Sequence, residues 1–446
     1  MEINSIKKIN MSTIFKVSLP MMISALSAQF MIILDQLVLA RYSIESMTGA
    51  AAASVWSAAI QCAAMSVTMV AGAFVGNYNG AKKFRLAGVP VWQMIWFSIS
   101  LFAISIPISL FMAEICIPEN LHAEGIPFFK ILMFCAPITG IYYTLSSFFV
   151  AIGKGFLVTI SVIIANIVNV IVDIVLVFGY FGIDGYQGST GAAIGTVTAW
   201  MANVLVLFIY FFKKDIRKKY GTLNFKFRLK KMKECLKLGA AGGVGHFFEM
   251  SAWSVVYYLL ATIGQEVAMI QSIAVSVNIF LAFIVSGLEK GIMAITANLL
   301  GAGLKDKTKL LLKKGITIHL VFTSIVAFVF IFFPEVITDN FIKFDVSKET
   351  LDTTILILRL VIIYFFIDGI VWVIAGVIEA GGDISYTMVT IASCLWVFVA
   401  LPAFVLFQLG MLKIELTWIM LIVAVVSIAA ILYHRYKSDK WIHIKV

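Results

Sequence analysis

Several carboxylates in this chain stand inside stretches that otherwise carry no charge. Asp35 lies in MIILDQLVLA, Asp173 in NIVNVIVDIVLVFG, Glu249 in VGHFFEMSAW and Asp368 in YFFIDGIVW. An acid at the centre of a bilayer costs about 2.5–3.5 kcal/mol on insertion scales, so each reads first as functional. Helix-packing hydrogen bonds are the plain alternative. The neighbours sharpen the chemistry. Asn166, Asn169 and Asp173 are spaced i, i+3, i+7 and share one helix face. Two amides and a carboxylate on one face supply hard oxygen ligands for a proton or a small cation such as Na⁺. Tyr364, four residues before Asp368, puts a hydroxyl on the same face as that carboxylate, to join its site or to line an aromatic surface. His246 precedes Glu249 by three residues; no second histidine completes a zinc pattern, so packing or hydrogen bonding is preferred over proton carriage. Glu289–Lys290 reads as a local ion pair, and Glu379 and Asp383 read as solvated near a membrane edge. Neither HExxH nor a nucleophile–base pair appears, so an enzyme is not expected, nor is a cofactor.

The elements that position these residues must sit in lipid. The chain of 446 residues is 61% hydrophobic and only 13% charged, with a mean hydropathy of +1.00. A soluble domain carries about 25% charged residues. The apolar runs are long and continuous, which favours helices over a barrel. Twelve spans are expected, near 14–40, 50–75, 91–112, 131–153, 156–178, 190–212, 238–262, 270–298, 314–333, 355–380, 384–406 and 416–433. The first run, after Lys7 and Lys8, continues to Ala40 and is too long for a cleaved signal.

Between the sixth and seventh spans lies KKDIRKKYGTLNFKFRLKKMKECLK, residues 213–237, with eleven bases against two acids, or +9 of the chain's +10. It divides the chain into halves of nearly equal length, 1–212 and 238–446. The other basic residues gather in loops on its side: Lys82, Lys83, Arg85, Lys154, Lys305 and Arg435 among them. The positive-inside rule then places both termini and the linker in the cytoplasm, with the chain in the bacterial plasma membrane. The same placement explains the positive charge without nucleic acid. The cysteines at 62, 116, 135, 235 and 394 show no paired spacing and read as packing residues.

The halves repeat. Gly80–Ala–Lys–Lys83 has a counterpart in Gly303–Leu–Lys–Asp306, and Ala151–Ile–Gly–Lys–Gly155 in Glu379–Ala–Gly–Gly–Asp383, at offsets of 223 and 228 residues. Six spans per half give a parallel repeat about an axis along the membrane normal, with a substrate path between the halves. Pro20, fifteen residues before Asp35, can kink the first span. Gly239, Gly242, Gly243 and Gly245 open the seventh, allowing close packing or a break.

These residues resemble those of the MATE family, the multidrug and toxic compound extrusion transporters, over essentially the whole chain. The likeness rests on Pro20 and Asp35 followed by Ala40–Arg–Tyr42, on Asn169-x-x-x-Asp173 with Phe178–Gly179, and on Phe247–Phe–Glu249 and Tyr364-x-x-x-Asp368, the last two being similar to the NorM branch. The resemblance implies an all-α protein of twelve transmembrane helices in two pseudo-symmetric six-helix lobes, joined by the cytoplasmic linker 213–237. It implies export of small organic cations by alternating access, driven by inward Na⁺ or H⁺; a monomer is expected. It would give Asp35, Asn169 and Asp173 to a cation-coupling site in the first lobe and Glu249, Tyr364 and Asp368 to one in the second. Asn166 and His246 are added as accessories from their spacing alone, and His246 departs from the family pattern. The alternative within the same superfold is a flippase or exporter of a lipid-linked substrate, which would favour a cationic cavity.

Overall fold

The computed structural model describes residues 9–182, 185–333 and 347–444. Lys7, Lys8 and part of the expected loop after the ninth span lie outside the described residues. Within them the chain forms twelve long helices and no strands. These are α1 (Met11–Tyr42), α2 (Ile44–Gly80), α3 (Phe84–Phe111), α4 (His122–Ala151), α5 (Gly155–Val177), α6 (Ser189–Phe211), α7 (Leu229–Ile263), α8 (Gln265–Gly301), α9 (Lys307–Phe332), α10 (Lys348–Ala380), α11 (Ile384–Gln408) and α12 (Ile414–Lys437). All but α7 are long and apolar enough to cross a membrane by composition alone. In α7 the polar His246 and Glu249 and the glycine run dilute the apolar signal. That helix is continuous, so its glycines serve packing rather than a break. A Cβ at Gly239 or Gly243 would press on Val67 or Ala63 of α2, and one at Gly242 or Gly245 on Ile384 or Met388 of α11.

The pairing of helices in the first half recurs in the second. Helix α1 packs on α5 as α7 packs on α11; α2 on α4 as α8 on α10; α4 on α6 as α10 on α12; and α3 on α4 as α9 on α10. Between the halves, α1 meets α8 and α7 meets α2, two contacts that exchange under the same operation, while α2 meets α8 at the centre.

The turns correct the repeat register. Lys82 and Gly303 take left-handed backbone, with φ of 61° and 71°, and stand 221 residues apart; Gly153 and Gly382, with φ of 78° and 94°, stand 229 apart. Turn geometry therefore aligns Gly80–Ala81 with Gly301–Ala302, and Ala151 with Ala380, rather than the pairs at 223 and 228. The sequence match had followed Gly80 with its lysine at one turn and Gly153 against Gly381 at the other, whereas the backbone follows the residues that take positive φ.

The linker is not a single loop. Lys214–Tyr220 is a short helix capped by Gly221 at φ 64°, and α7 already begins at Leu229. Between them the chain runs along α3. Its carbonyls would lack partners in the interfacial zone, and α3 side chains supply them. Trp92 Nε1 donates to Thr222 O at 2.7 Å, Trp96 Nε1 to Phe225 O at 2.9 Å and Gln93 Nε2 to Lys226 O at 3.1 Å, while Gln93 Oε1 accepts from the Arg228 amide at 2.8 Å. Leu223, Phe225 and Phe227 remain exposed, an apolar face suited to lipid.

On the linker side the halves are clasped. Gly80 of α2 lies against the Asn298 carbonyl of α8, and Gly301 of α8 against the Asn77 carbonyl of α2. Asn77 Nδ2 reaches across to Ala380 O at 3.3 Å, and Asn298 Nδ2 to Ala151 O at 2.8 Å. Both residues belong to an Asn-x-x-Gly sequence, so one motif, used twice, forms the clasp. Asn79 bonds Asn298 and accepts from the Tyr220 hydroxyl of the linker helix at 3.2 Å. Burial pushes the Tyr220 phenol up to about 12, which keeps it a neutral donor. Nearer the middle, Gly287 and Gly291 of α8 admit Met22 and Ser18 of α1.

Candidate functional site

In the first half, α1, α5 and α6 converge on one polar cluster. Asn169 and Asp173 are 0% and 1% exposed on the buried face of α5. Asn169 Nδ2 donates to Asp173 Oδ2 at 3.2 Å, and Thr196 Oγ1 of α6 donates to Asp35 Oδ2 at 3.2 Å. The Asp35 and Asp173 carboxyls lie within hydrogen-bonding reach of each other. Asp35 Oδ1, Asn169 Oδ1 and Asp173 Oδ1 are sealed from solvent and have no hydrogen-bond partner among the described residues. Buried acceptors are normally satisfied, so three orphans in one cluster call for a proton or a cation. Gly195 makes the site: a Cβ there would overlap Asp173 Oδ1. Thr196 and Gly195 were missed from the sequence because both are ordinary residues of membrane helices.

Asn166, expected on this face, is directed elsewhere. Its Nδ2 donates to Ser27 O and Ser27 Oγ, both at 2.7 Å, and so ties α5 to α1. The i, i+3, i+7 face is broad enough that one end meets the α1 backbone while the other meets the carboxylates. Pro20 lies inside α1, and its carbonyl accepts from Thr159 Oγ1 at 2.6 Å and from Ser24 Oγ at 2.8 Å.

In the second half, the Tyr364 hydroxyl donates to Asp368 Oδ1 at 3.3 Å. Trp253 of α7 and Trp418 of α12 meet the Tyr364 ring edge-on, at 6.2 and 5.9 Å. Glu249 is buried on α7, and its carboxylate bonds His246 Nδ1 at 3.0 Å. Behind Asp368, His319 of α9 is fully buried, bonds the Phe365 carbonyl at 3.1 Å, and fills the space left by the missing side chain of Gly369. It holds α9 close against the helix that carries the carboxylate.

A cavity of about 260 Å³ opens beside Asp368, walled by α2, α7, α8, α10 and α11. His246, Glu289, Lys290 and Glu379 line it together with Asp368 and Trp372. This corrects three expectations. Glu379 is not solvated: it is 7% exposed, and its Oε1 is sealed without a partner among the described residues. Asp383 is also buried, held by Arg435 Nε at 2.7 Å and His443 Nε2 at 3.2 Å. Glu289 and Lys290 form no ion pair among the described residues, because adjacent helical positions diverge by about 100°. The tight α10–α11 turn and the C-terminal segment that folds over Gly381 turn an apparent edge into interior, since His443 N donates to Gly381 O at 2.7 Å.

The MatE family model matches residues 20–175 and 244–405, one stretch on each side of the linker. The probable multidrug resistance protein NorM of Bacillus licheniformis is 21% identical over 437 residues, covering 95% of each chain. The match to a protein of the same description from Neisseria meningitidis, 21% identical over 269 residues, spans 58% of this chain and 58% of that relative. Among solved structures, an outward-facing multidrug resistance MATE transporter of the MOP superfamily superposes with a TM-score of 0.85 at 16% identity, covering 98% of both chains. With two matched stretches, twelve helices and this fold, the chain belongs to the MatE family of multidrug and toxic compound extrusion transporters and is not an enzyme.

Proposed function

We propose that the protein is an antiporter of the cytoplasmic membrane that exports organic cations in exchange for inward Na⁺ or H⁺. The observation that carries this is the trio of unpartnered oxygens on Asp35, Asn169 and Asp173. With the Thr196 hydroxyl they form an oxygen-only donor set that suits a hard monovalent cation or a proton. Two carboxyls this near each other need a proton or cation between them. Tyr364 and Asp368, at the 260 Å³ cavity, supply a like group where a cationic substrate can be neutralised, and the aromatic side chain of Trp372 lines the same cavity. Coupling follows if ion and substrate favour different arrangements of the halves. The clasp closes the linker side, and the positive-inside rule favours the cytoplasm for its basic residues, so on this reading the arrangement described is the one that would release substrate outward.

Ion binding to the purified protein tests the donor set. Calorimetric titration with NaCl, and proton release on addition of Na⁺ to weakly buffered protein, should give a signal in the wild type that Asp35→Asn removes. A signal unchanged in Asp35→Asn would overturn the assignment.

A further inference from the structure

A cavity of about 550 Å³ opens on the linker side, where the turn between α2 and α3 meets the linker helix. Lys82, Lys83, Arg85, Lys218 and Lys219 line it, with no acid on the described lining. Close backbone contact builds its wall. A Cβ at Gly221 would strike the Arg85 carbonyl, and one at Gly88 the Gly221 carbonyl. The Phe84 and Tyr220 rings meet edge-on at 6.0 Å, and Lys219 Nζ lies 4.8 Å from the Phe84 ring centre. Asp215 stands one turn before Lys218 and Lys219, yet none of the five bases has a carboxylate oxygen of the described residues within 4.0 Å. Like charges around one hollow repel, and a phosphate between them relieves the repulsion while accepting their hydrogen bonds.

We propose that this cavity is a binding site for an anionic phospholipid of the adjoining leaflet, its phosphate among the five bases and its acyl chains along the linker. The chain that leaves the cavity is apolar and open. Leu223, Phe225 and Phe227 are 51%, 59% and 58% exposed. Trp92 holds Thr222, and Trp96, about 6 Å further along α3, holds Phe225, so the linker leads from the bases toward the bilayer interior. Tryptophans belong at that interfacial level. A free anion would answer the bases alone; a lipid also covers the phenylalanines. Basic pockets beside membrane helices select anionic headgroups in this way. The counterpart in the second half, between α9 and the end of α12, has Lys309, Lys313 and Lys437 but also Asp306, and Lys305 is paired with Asp439 at 2.7 Å, so the first is the stronger anion site. The linker helix that carries Lys218 and Lys219 also sends Tyr220 to Asn79 of the clasp, so a lipid seated here braces the closed linker side.

The test supplies delipidated full-length protein in detergent with equal amounts of phosphatidylglycerol and phosphatidylcholine. Native mass spectrometry then reads the ratio of the two lipids bound. Wild type should favour phosphatidylglycerol. The double variant Lys218→Gln, Lys219→Gln should lower the ratio by about tenfold or more, the size of two lost charge contacts at a membrane surface, and Lys218→Arg with Lys219→Arg should keep it. Lys230→Gln with Lys233→Gln removes the same charge at the start of α7, outside the cavity, and should leave the ratio unchanged. Because the ratio is taken within one preparation, a variant that folds poorly lowers both terms together. No preference in wild type, or an unchanged ratio in the 218/219 glutamine variant, overturns the proposal. An equal fall in the 230/233 variant overturns it in favour of diffuse attraction by the linker. Displacement of phosphatidylglycerol by glycerol phosphate at the same concentration overturns it in favour of a free anion.

Discussion

Gly195 and Asp173 are as closely matched as a donor and its acceptor, though no bond joins them. The carboxylate occupies the space a side chain would need. Gly195→Ala should therefore displace Asp173 and weaken ion binding by about tenfold or more, a loss on the scale of one charge-assisted contact, with the melting temperature little changed. Calorimetry beside a thermal melt checks both parts; full-strength ion binding in Gly195→Ala would show that the carboxylate can move at no cost. The acids of this site were legible in the sequence because charge inside lipid stands out against every neighbour. Asp35, Asp173 and Asp368 were singled out that way, and Asn169 and Tyr364 by their helical spacing from an acid. Their partners were not. A threonine and a glycine in a membrane helix carry no such signal, and only the packing of α1, α5 and α6 reveals that Thr196 and Gly195 complete the cluster. Glu379 was misread for a related reason: nearness to a turn in sequence implies water only if nothing folds over the turn, and here α12 and the C-terminal segment do.

Helices α2 and α8 meet through a motif used twice. The Asn-x-x-Gly residues place Gly80 on the Asn298 carbonyl and Gly301 on the Asn77 carbonyl, and the amides then reach the ends of α10 and α4. A valine at Gly80 or at Gly301 would drive these backbones apart. Either substitution should shift the population toward an arrangement open on the linker side. Spin labels at Lys83 and Lys305, in a background lacking the native cysteines, would report a longer distance in Gly80→Val and Gly301→Val than in wild type. An unchanged distance distribution would mean that the clasp does not hold the closed state. The repeat itself was legible from glycines and lysines in two pairs of turns, yet its register was read two residues long at one and one residue short at the other. Lysine position in a loop is weakly constrained, whereas the left-handed residues Lys82, Gly303, Gly153 and Gly382 are fixed by turn geometry.

For the molecule as a whole, the basic linker is a strut as well as a charge. It docks on α3 through Trp92, Gln93 and Trp96, sends Tyr220 into the clasp, and leads without a break into α7. Composition foresaw the membrane, and hydropathy foresaw every long helix. Helices α4 and α7 each begin nine residues before the expected spans; in α7 those first turns are basic and were assigned to the linker. What composition could not foresee is the meeting of the halves, where the Asn-x-x-Gly clasp joins α2 to α8. Gradient-driven efflux tests the central claim most directly. Proteoliposomes holding the purified protein and a fluorescent lipophilic cation would be given an inward Na⁺ gradient or an inward H⁺ gradient, each alone. Efflux should appear under at least one gradient, vanish without either, and be lost in Asp173→Asn and Asp368→Asn. Efflux indifferent to both gradients, or undiminished in both variants, would contradict the carboxylate-coupled antiporter.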